Sequence, residues 1–351
     1  MSSPSSQTIL ITGASGFVAS HIIHAFLEAG YKVRGTVRSS SSIEKVKAAQ
    51  GPLSSNLTFY IVPDLASPPS AYAEAIKGVS GVIHTASPFI LTPKDVRADL
   101  LEPAINGTTN VLKAAAEYAG PQLKRVVITS SFASIFDLSK GYRPGYVYTE
   151  KDWNPATYDE AANSTDGSFA YCASKPLAEH AAWNWMSANP EVGFTLATIC
   201  PPWVFGPSLN TITNLGHLNE STETIWKLIN GSSKTVPPID FGGFADVRTN
   251  AQAHLKAYEK DEAAGERFLV GQHFDYQSAA DAIREAIPEL RGRVSEGTPG
   301  SGLDFKDTVY TPDGSKAEKV LGIKYIDLKK CMVDTAADLL AAEKRLGWKA
   351  E

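Results

Sequence analysis

Short apolar, β-branched runs alternate with stretches of helical spacing over the first two hundred residues. Gln7 to Thr12 reads QTILIT, and Ser20 to Ala29 follows with Ile22, Ile23, Phe26 and Leu27 on one side. The first pattern predicts a buried parallel strand and the second an amphipathic helix. Similar runs near 32–37, 57–62, 81–85, 124–129 and 193–199 are each separated by helical stretches. That order predicts an α/β fold built on a doubly wound parallel Rossmann sheet. A long helix is expected after Thr92-Pro93, with Thr92 as cap and Leu100, Leu101, Ala104, Ile105, Thr108, Leu112 and Ala115 on its apolar face. Asn106 and Asn110 within it are expected to bond to neighbouring backbone. Residues 138–168 are polar and rich in turn formers, which suggests a loop over the mouth of a site.

After Gly206 the alternation fades. Residues 206–245 and 274–351 are expected to form a smaller, mixed α/β substrate-binding region. Residues 246–273 read as a helix, Val247 to Tyr258, and a strand, Arg267 to Val270, that return to the sheet. The dinucleotide domain is therefore placed at 1–205 plus 246–273.

Between the first strand and the first helix lies Gly13-Ala14-Ser15-Gly16-Phe17-Val18-Ala19. Strand, glycine turn and helix together make the context of a dinucleotide fingerprint. Gly13 permits the tight turn, and Gly16 lets backbone approach a pyrophosphate. The backbone of Ser15, Phe17 and Val18 continues into the helix N-terminus, where free N–H groups favour an anion. No acidic residue occurs between Glu28 and Glu44, where a site for NAD would place one on the ribose. Arg38 closes the second strand instead, with Ser39 to Ser42 and Lys45 beside it. A guanidinium grips a 2′-phosphate and stacks on adenine, so NADPH is the expected cofactor. The alternative for Arg38 is a solvated charge at a strand end. Asp64 and Leu65, after the third strand, are placed at the adenine. Thr85, Ala86 and Ser87, after the fourth, are small enough for backbone to lie against the cofactor. His84 reads as a packing residue.

The fifth strand, RVVIT, ends in Thr129, Ser130 and Ser131. Ligands of open α/β sheets gather at such carboxyl ends. Forty residues on, Tyr171 and Lys175 stand four apart and share a helical face. A carbonyl accepting hydride needs a hydroxyl to stabilise the charge on its oxygen and an acid to deliver a proton. Lys175 beside Tyr171 is expected to draw the phenol down towards a working pKa. Composition alone supplies about one Tyr-x-x-x-Lys pair by chance. The chain has a second, Tyr325 and Lys329, expected to be a solvated surface pair. Only the ordered set of glycine turn, serines and Tyr171/Lys175 distinguishes the first. Pro176 is expected to bend its helix near the end of the second turn. Trp203, Trp226, Phe241 and Phe244 are candidate pocket walls, as aromatics that could equally be core.

With a net charge of −5 and no basic cluster, nucleic acid is not an expected partner. No apolar run approaches the roughly 18 residues of a membrane span, and the first seven residues are polar. Cys172, Cys200 and Cys331 show neither metal-ligand spacing nor a disulfide framework, so no metal is expected and a reducing cytoplasm is. The partner is then a small-molecule carbonyl substrate, and the chain a monomer or homodimer.

The stretches TGASGFVASH, KVRGTVRS, VIHTASPF, INGTTNVLKAA, RVVITSSFAS, YCASKPLAEHAAW, PPWVFGP and ADVR resemble the extended short-chain dehydrogenase/reductases. Within them the chain is most similar to fungal NADPH-dependent methylglyoxal and ketone reductases, relatives of plant dihydroflavonol reductases. The resemblance spans nearly the whole chain. It implies Ser131 as the carbonyl-orienting hydroxyl, Tyr171 as acid and Lys175 as its partner. It also implies Pro201 to Val204 along the nicotinamide, and Phe89 and Phe132 beside the substrate. Phe132 stands where some relatives carry tyrosine. Thr249 replaces a common Asp, which puts a local helix cap in question. Two other readings stay open here. One is a nucleotide-sugar epimerase or dehydratase, which would retain NAD and need an Asp-Glu pair where Phe132 and Ala133 stand. The other is a non-catalytic NADPH-binding module.

Overall fold

The β-branched run Thr8–Ile11 forms the central strand, because strands on both sides and helices on both faces leave it no solvent: Ile9, Leu10 and Ile11 are fully buried. The computed structural model describes residues 3–302 and 307–348. The expected ranges 1–205 and 274–351 therefore include positions 1–2, 303–306 and 349–351 that lie outside the described residues. The first half holds β1 (Thr8–Ile11), α1 (Phe17–Glu28), β2 (Lys32–Val37), α2 (Ile43–Gln50), β3 (Leu57–Ile61), α3 (Ala73–Ile76), β4 (Gly81–His84), α4 (Glu102–Tyr118) and β5 (Arg125–Thr129). Next come β6 (Val147–Tyr148), α5 (Tyr158–Ala162), α6 (Gly167–Ala188), β7 (Thr195–Cys200), β8 (Trp203–Phe205), α7 (Glu220–Ile229), β9 (Gly243–Asp246) and α8 (Val247–Glu259). The chain closes with β10 (Arg267–Leu269), β11 (Gln272–His273), α9 (Tyr276–Ala286), β12 (Thr311–Pro312) and α10 (Leu328–Leu346).

Seven parallel strands run in the order β10-β7-β5-β4-β1-β2-β3. The order reverses between β1 and β4, which opens a crevice at their carboxyl ends. One apolar core lies on the face covered by α1 and α8, and another on the face covered by α4 and α6. A further core joins Phe205, α7, α9 and α10, beside a three-stranded sheet of β11, β9 and β8. β12 pairs with β6. No helix among the described residues is long and apolar enough to cross a membrane.

Several local expectations are corrected. The helix after β4 does not start at Thr92-Pro93. A π-helical turn at Arg97–Leu101 leads into α4, and Asp95 accepts from the amides of Arg97 and Ala98. A carboxylate two residues upstream of free amides outcompetes a more distant threonine. Asn110 reaches across to the carbonyls of Ala66 and Ser67 and so ties α4 to the loop after β3. Pro176 falls in the third turn of α6, because Asp166 caps that helix earlier than expected. Thr249 is not a cap. Asp246 caps α8, and Thr249 bonds to Lys324 and Ile326. Residues 138–168 are more ordered than a loop, since they contain β6 and α5, the latter closed by a Thr157–Glu160 capping box. Tyr325 is not solvated; its hydroxyl donates to the Gly314 carbonyl, while Lys329 pairs with Glu285 at the surface.

Candidate active site

The crevice begins at the glycine turn. Gly13 sits at φ +67°, and a Cβ there would lie 3.2 Å from Ala86. Only glycine combines that left-handed backbone with so close an approach. Gly16 ends the turn, and no side chain caps α1, so its first amides, from Phe17 and Val18, form an uncapped N-terminus at the crevice. The Ser15 carbonyl accepts from Asn210, which links the turn to the segment after β8.

Gly35 and Thr12 shape this turn from outside it. Gly35, inside β2, leaves room for Ala14: a Cβ on Gly35 would stand 2.8 Å from the Ala14 Cβ. Thr12 ties β1 to β4. Its hydroxyl accepts from the amides of Thr85 and Ala86 at 3.1 and 3.2 Å, and therefore donates to His84 Nδ1 at 2.9 Å. His84 is thus a neutral packing residue, and burial pushes its pKa down to about 4. The signal for Thr12 was its position between the strand and the first glycine. Nothing in the sequence singled out Gly35.

Arg38 and Lys45 are exposed, and neither has an ion-pair partner among the described residues. Asp64 is exposed and accepts from the Ala66 amide; Leu65 is half-buried, its carbonyl bonded to Tyr72. This set suits a phosphorylated adenosine: an open guanidinium at the end of β2 for a 2′-phosphate, and a carboxylate after β3 that can accept from the adenine amino group.

The chemistry-bearing helix meets the same crevice. The Lys175 ammonium donates to the Ser87 hydroxyl at 2.7 Å and to the Pro88 carbonyl at 3.3 Å. It also lies 4.4 Å from the centre of the Tyr171 ring. Residues 85–87 thus touch the glycine turn through Ala86 and the catalytic candidates through Ser87. Burial lowers the Lys175 pKa to about 8. Tyr171 behaves otherwise than expected. Burial, and after it the Cys172 thiol, pushes its phenol up, and the ammonium over its ring does not reverse this. Phe89, 48% exposed, packs edge-on against the Tyr171 ring at 4.7 Å.

The two serines part company. Ser130 turns inward, 2.6 Å from the Glu179 carboxylate. Ser131 is half-buried and accepts from the Ala133 amide, which leaves its own proton available. Thr129 does not present its hydroxyl to the crevice. It bonds to His254 Nε2 at 2.7 Å, while His254 Nδ1 donates to the Asn250 carbonyl.

The aromatic candidates divide. Trp203 and Phe241 are half-buried, and Trp203 donates to Asp240. Phe132 is fully buried among Phe136, Tyr148, Phe241 and Tyr310, so it supports Phe241 from behind and does not border a pocket. Trp226 is core: α7 packs it against Trp348, 4.8 Å between ring centres. Phe244 is also core, 1% exposed. Helical spacing that puts Trp226 on the apolar face of α7 makes it a packing residue. Pro201 is buried, and its carbonyl accepts from Phe132; Val204 pairs with Ala245 in the small sheet.

Comparison with known proteins gives a family match over residues 10–284, to the 3-beta hydroxysteroid dehydrogenase/isomerase family. The NADPH-dependent methylglyoxal reductase GRE2 of Saccharomyces cerevisiae is 37% identical over 345 residues, which cover 97% of this chain and 100% of that protein. The ketoreductase azaE of Aspergillus niger is 37% identical over 347 residues, covering 95% and 98%. The crystal structure of yeast methylglyoxal/isovaleraldehyde reductase Gre2 complexed with NADPH superposes with a TM-score of 0.86 at 35% identity, covering 97% of this chain and 100% of the other.

Proposed function

Because the chain belongs to the 3-beta hydroxysteroid dehydrogenase/isomerase family, we propose that it is an NADPH-dependent reductase that turns aldehydes and ketones into alcohols. One observation carries the reading. Residues 85–87 join the dinucleotide turn to the tyrosine helix, through Ala86 against Gly13 and Ser87 against Lys175. A cofactor seat and a proton donor are thereby held on one short segment.

NADPH supplies the hydride when bound. Gly13, Ser15, Gly16, Phe17 and Val18 would hold its pyrophosphate, Arg38 and Lys45 its 2′-phosphate, and Asp64 and Leu65 its adenine. Thr85, Ala86, Pro201 and Val204 bound the inner end by backbone, as does Thr129, whose hydroxyl is committed to His254. The Ser131 hydroxyl donates to the carbonyl oxygen and stabilises the charge that develops there. Tyr171 gives its phenolic proton to that oxygen as the new C–H bond forms. Its high pKa keeps the proton in place until then, and the ammonium over its ring stabilises the phenolate left behind. Phe89, Trp203 and Phe241 wall the substrate side, within a substrate region built from 206–245 and 274–351. The three free thiols, Cys172, Cys200 and Cys331, suit a reducing cytosol.

The test is NADPH oxidation with a panel of aldehydes, diketones, ketoesters and aryl ketones. Tyr171→Phe should lower kcat by about a hundredfold or more, the scale of a lost general acid. NADPH affinity should hold. Parental turnover in that variant would refute the acid assignment.

A further inference from the structure

Beneath the serine turn lies a buried ion pair that the reaction as described does not use. Glu179 stands on α6 one turn beyond Lys175 and two beyond Tyr171, so the three side chains share a face. Glu179 is 2% exposed and Arg267, on β10, 9%. The carboxylate has six nitrogen and oxygen donors around it, with the Cys200 thiol 3.8 Å away as a weaker seventh. One oxygen meets Thr198 Oγ1 at 2.7 Å, Arg267 Nε at 2.7 Å and Trp183 Nε1 at 3.2 Å. The other meets Ser130 Oγ and Ser134 Oγ, each at 2.6 Å, and Arg267 Nη2 at 3.2 Å. Burial alone would push this carboxyl up, but Arg267 and the serine hydroxyls more than offset that, so it stays ionised.

The two serines flank the turn that carries Ser131. Ser134 Oγ also lies 2.7 Å from the Ser131 carbonyl, and the Ser134 amide donates to that same carbonyl. On its far side Arg267 donates to the carbonyls of Glu150 and Asp152 at 2.6 and 2.9 Å, and its guanidinium sits 3.4 Å from the centre of the Trp153 ring. Asn154 then bonds to the Ala133 and Ser134 carbonyls. The pair therefore ties together the tyrosine helix, the serine turn and the 150–154 segment. A buried ion pair is an inefficient way to gain stability, since an apolar pair of similar volume usually does as well. It does impose direction, because each of the six bonds has a preferred geometry.

We propose that Glu179, anchored by Arg267, is a positioning residue: it fixes the serine turn against the tyrosine helix and so sets the distance between the Ser131 hydroxyl and the Tyr171 phenol. This rests on the catalytic reading of those two residues. Misplacing reacting groups by about an ångström lowers rates by as much as a hundredfold.

The experiment compares Ser130→Ala and Glu179→Gln with the reference variants Ser131→Ala and Tyr171→Phe. Ser130→Ala removes one bond and leaves the carboxylate its five other nitrogen and oxygen donors, so it reports even if Glu179→Gln does not fold. The expected result is a fall in kcat of about tenfold for Ser130→Ala and up to about a hundredfold for Glu179→Gln. NADPH Kd and carbonyl KM should stay within about twofold, since only alignment changes. The isotope effect with NADPH deuterated at the transferred position should grow as hydride transfer slows. Full turnover in Ser130→Ala and in any folded Glu179→Gln, with loss in the reference variants, would overturn the positioning role alone. A loss of kcat matched by weaker NADPH binding would also overturn it, as general structural damage. Retained turnover in the reference variants would remove the catalytic reading, and this inference with it.

Discussion

In the proposed function one side chain, Arg38, selects the cofactor. It is exposed at the end of β2 and has no carboxylate partner among the described residues. An ionic hydrogen bond to phosphate contributes about 1.5–3 kcal/mol, so Arg38→Asp should raise the KM for NADPH by at least about tenfold. NADH use should be unchanged or better, because the new carboxylate can accept from ribose hydroxyls. Equal preference in parent and variant, from steady-state rates with each cofactor, would rule Arg38 out. Tyr171 gives the complementary lesson. Its spacing to Lys175 was legible as a local pattern, but its pKa was not. Burial sets that, and burial depends on what packs on the ring: Phe89, and Lys175, which Ser87 holds in place.

Among the elements, strands and helices follow their periodicities closely, and errors fall at their ends. Asp95 in place of Thr92, and Asp166 ten residues ahead of Pro176, start their helices because a carboxylate at the right offset was available. The glycine turn depends on an element that its own sequence does not mention. β2 must pass Ala14 with hydrogen in place of a side chain at Gly35. Gly35→Ala should therefore force Ala14 and the turn outward, with a stability loss of about 1–3 kcal/mol from overpacking. Urea unfolding would measure that loss and fluorescence titration the weaker NADPH binding. Unchanged NADPH affinity would mean that the turn tolerates the shift.

At the scale of the whole molecule, three histidines bury themselves neutral. His21, His84 and His254 are each pushed down to about 4, in every case chiefly by burial. Each is neutral when folded but binds a proton near 6.5 when unfolded, so the unfolded state takes up more protons between those values. Stability is therefore complete above about pH 6.5 and is lost as pH falls towards 4. At 1.36 kcal/mol per unit, each contributes on the order of 3 kcal/mol across that window. Thermal melting should accordingly fall steeply between pH 6.5 and 4.5. A melting temperature that stays level to pH 5 would contradict this. His84 was legible as a packing residue from its apolar run, but the burial of His21 and His254 was not, and no partner was, because Pro207, Thr12 and Thr129 lie 186, 72 and 125 residues from their histidines.

Taken alone, the sequence determined the parallel sheet, the glycine turn at its first strand end and the shared face of Tyr171 and Lys175. These are properties of period and spacing, which a helix or strand expresses wherever it sits. Only the tertiary structure decided what each neighbouring side chain faces. Ser130 and Ser131 are adjacent and chemically identical. One turns to Glu179, 49 positions away, and the other keeps a free proton at the crevice. Trp226 and Trp203 are the same residue type, yet one fills a core and the other stays half-buried at its edge, donating to Asp240. The physical reason is common to both cases. Direction and burial are set by contacts between elements distant in the chain, and no local period encodes them.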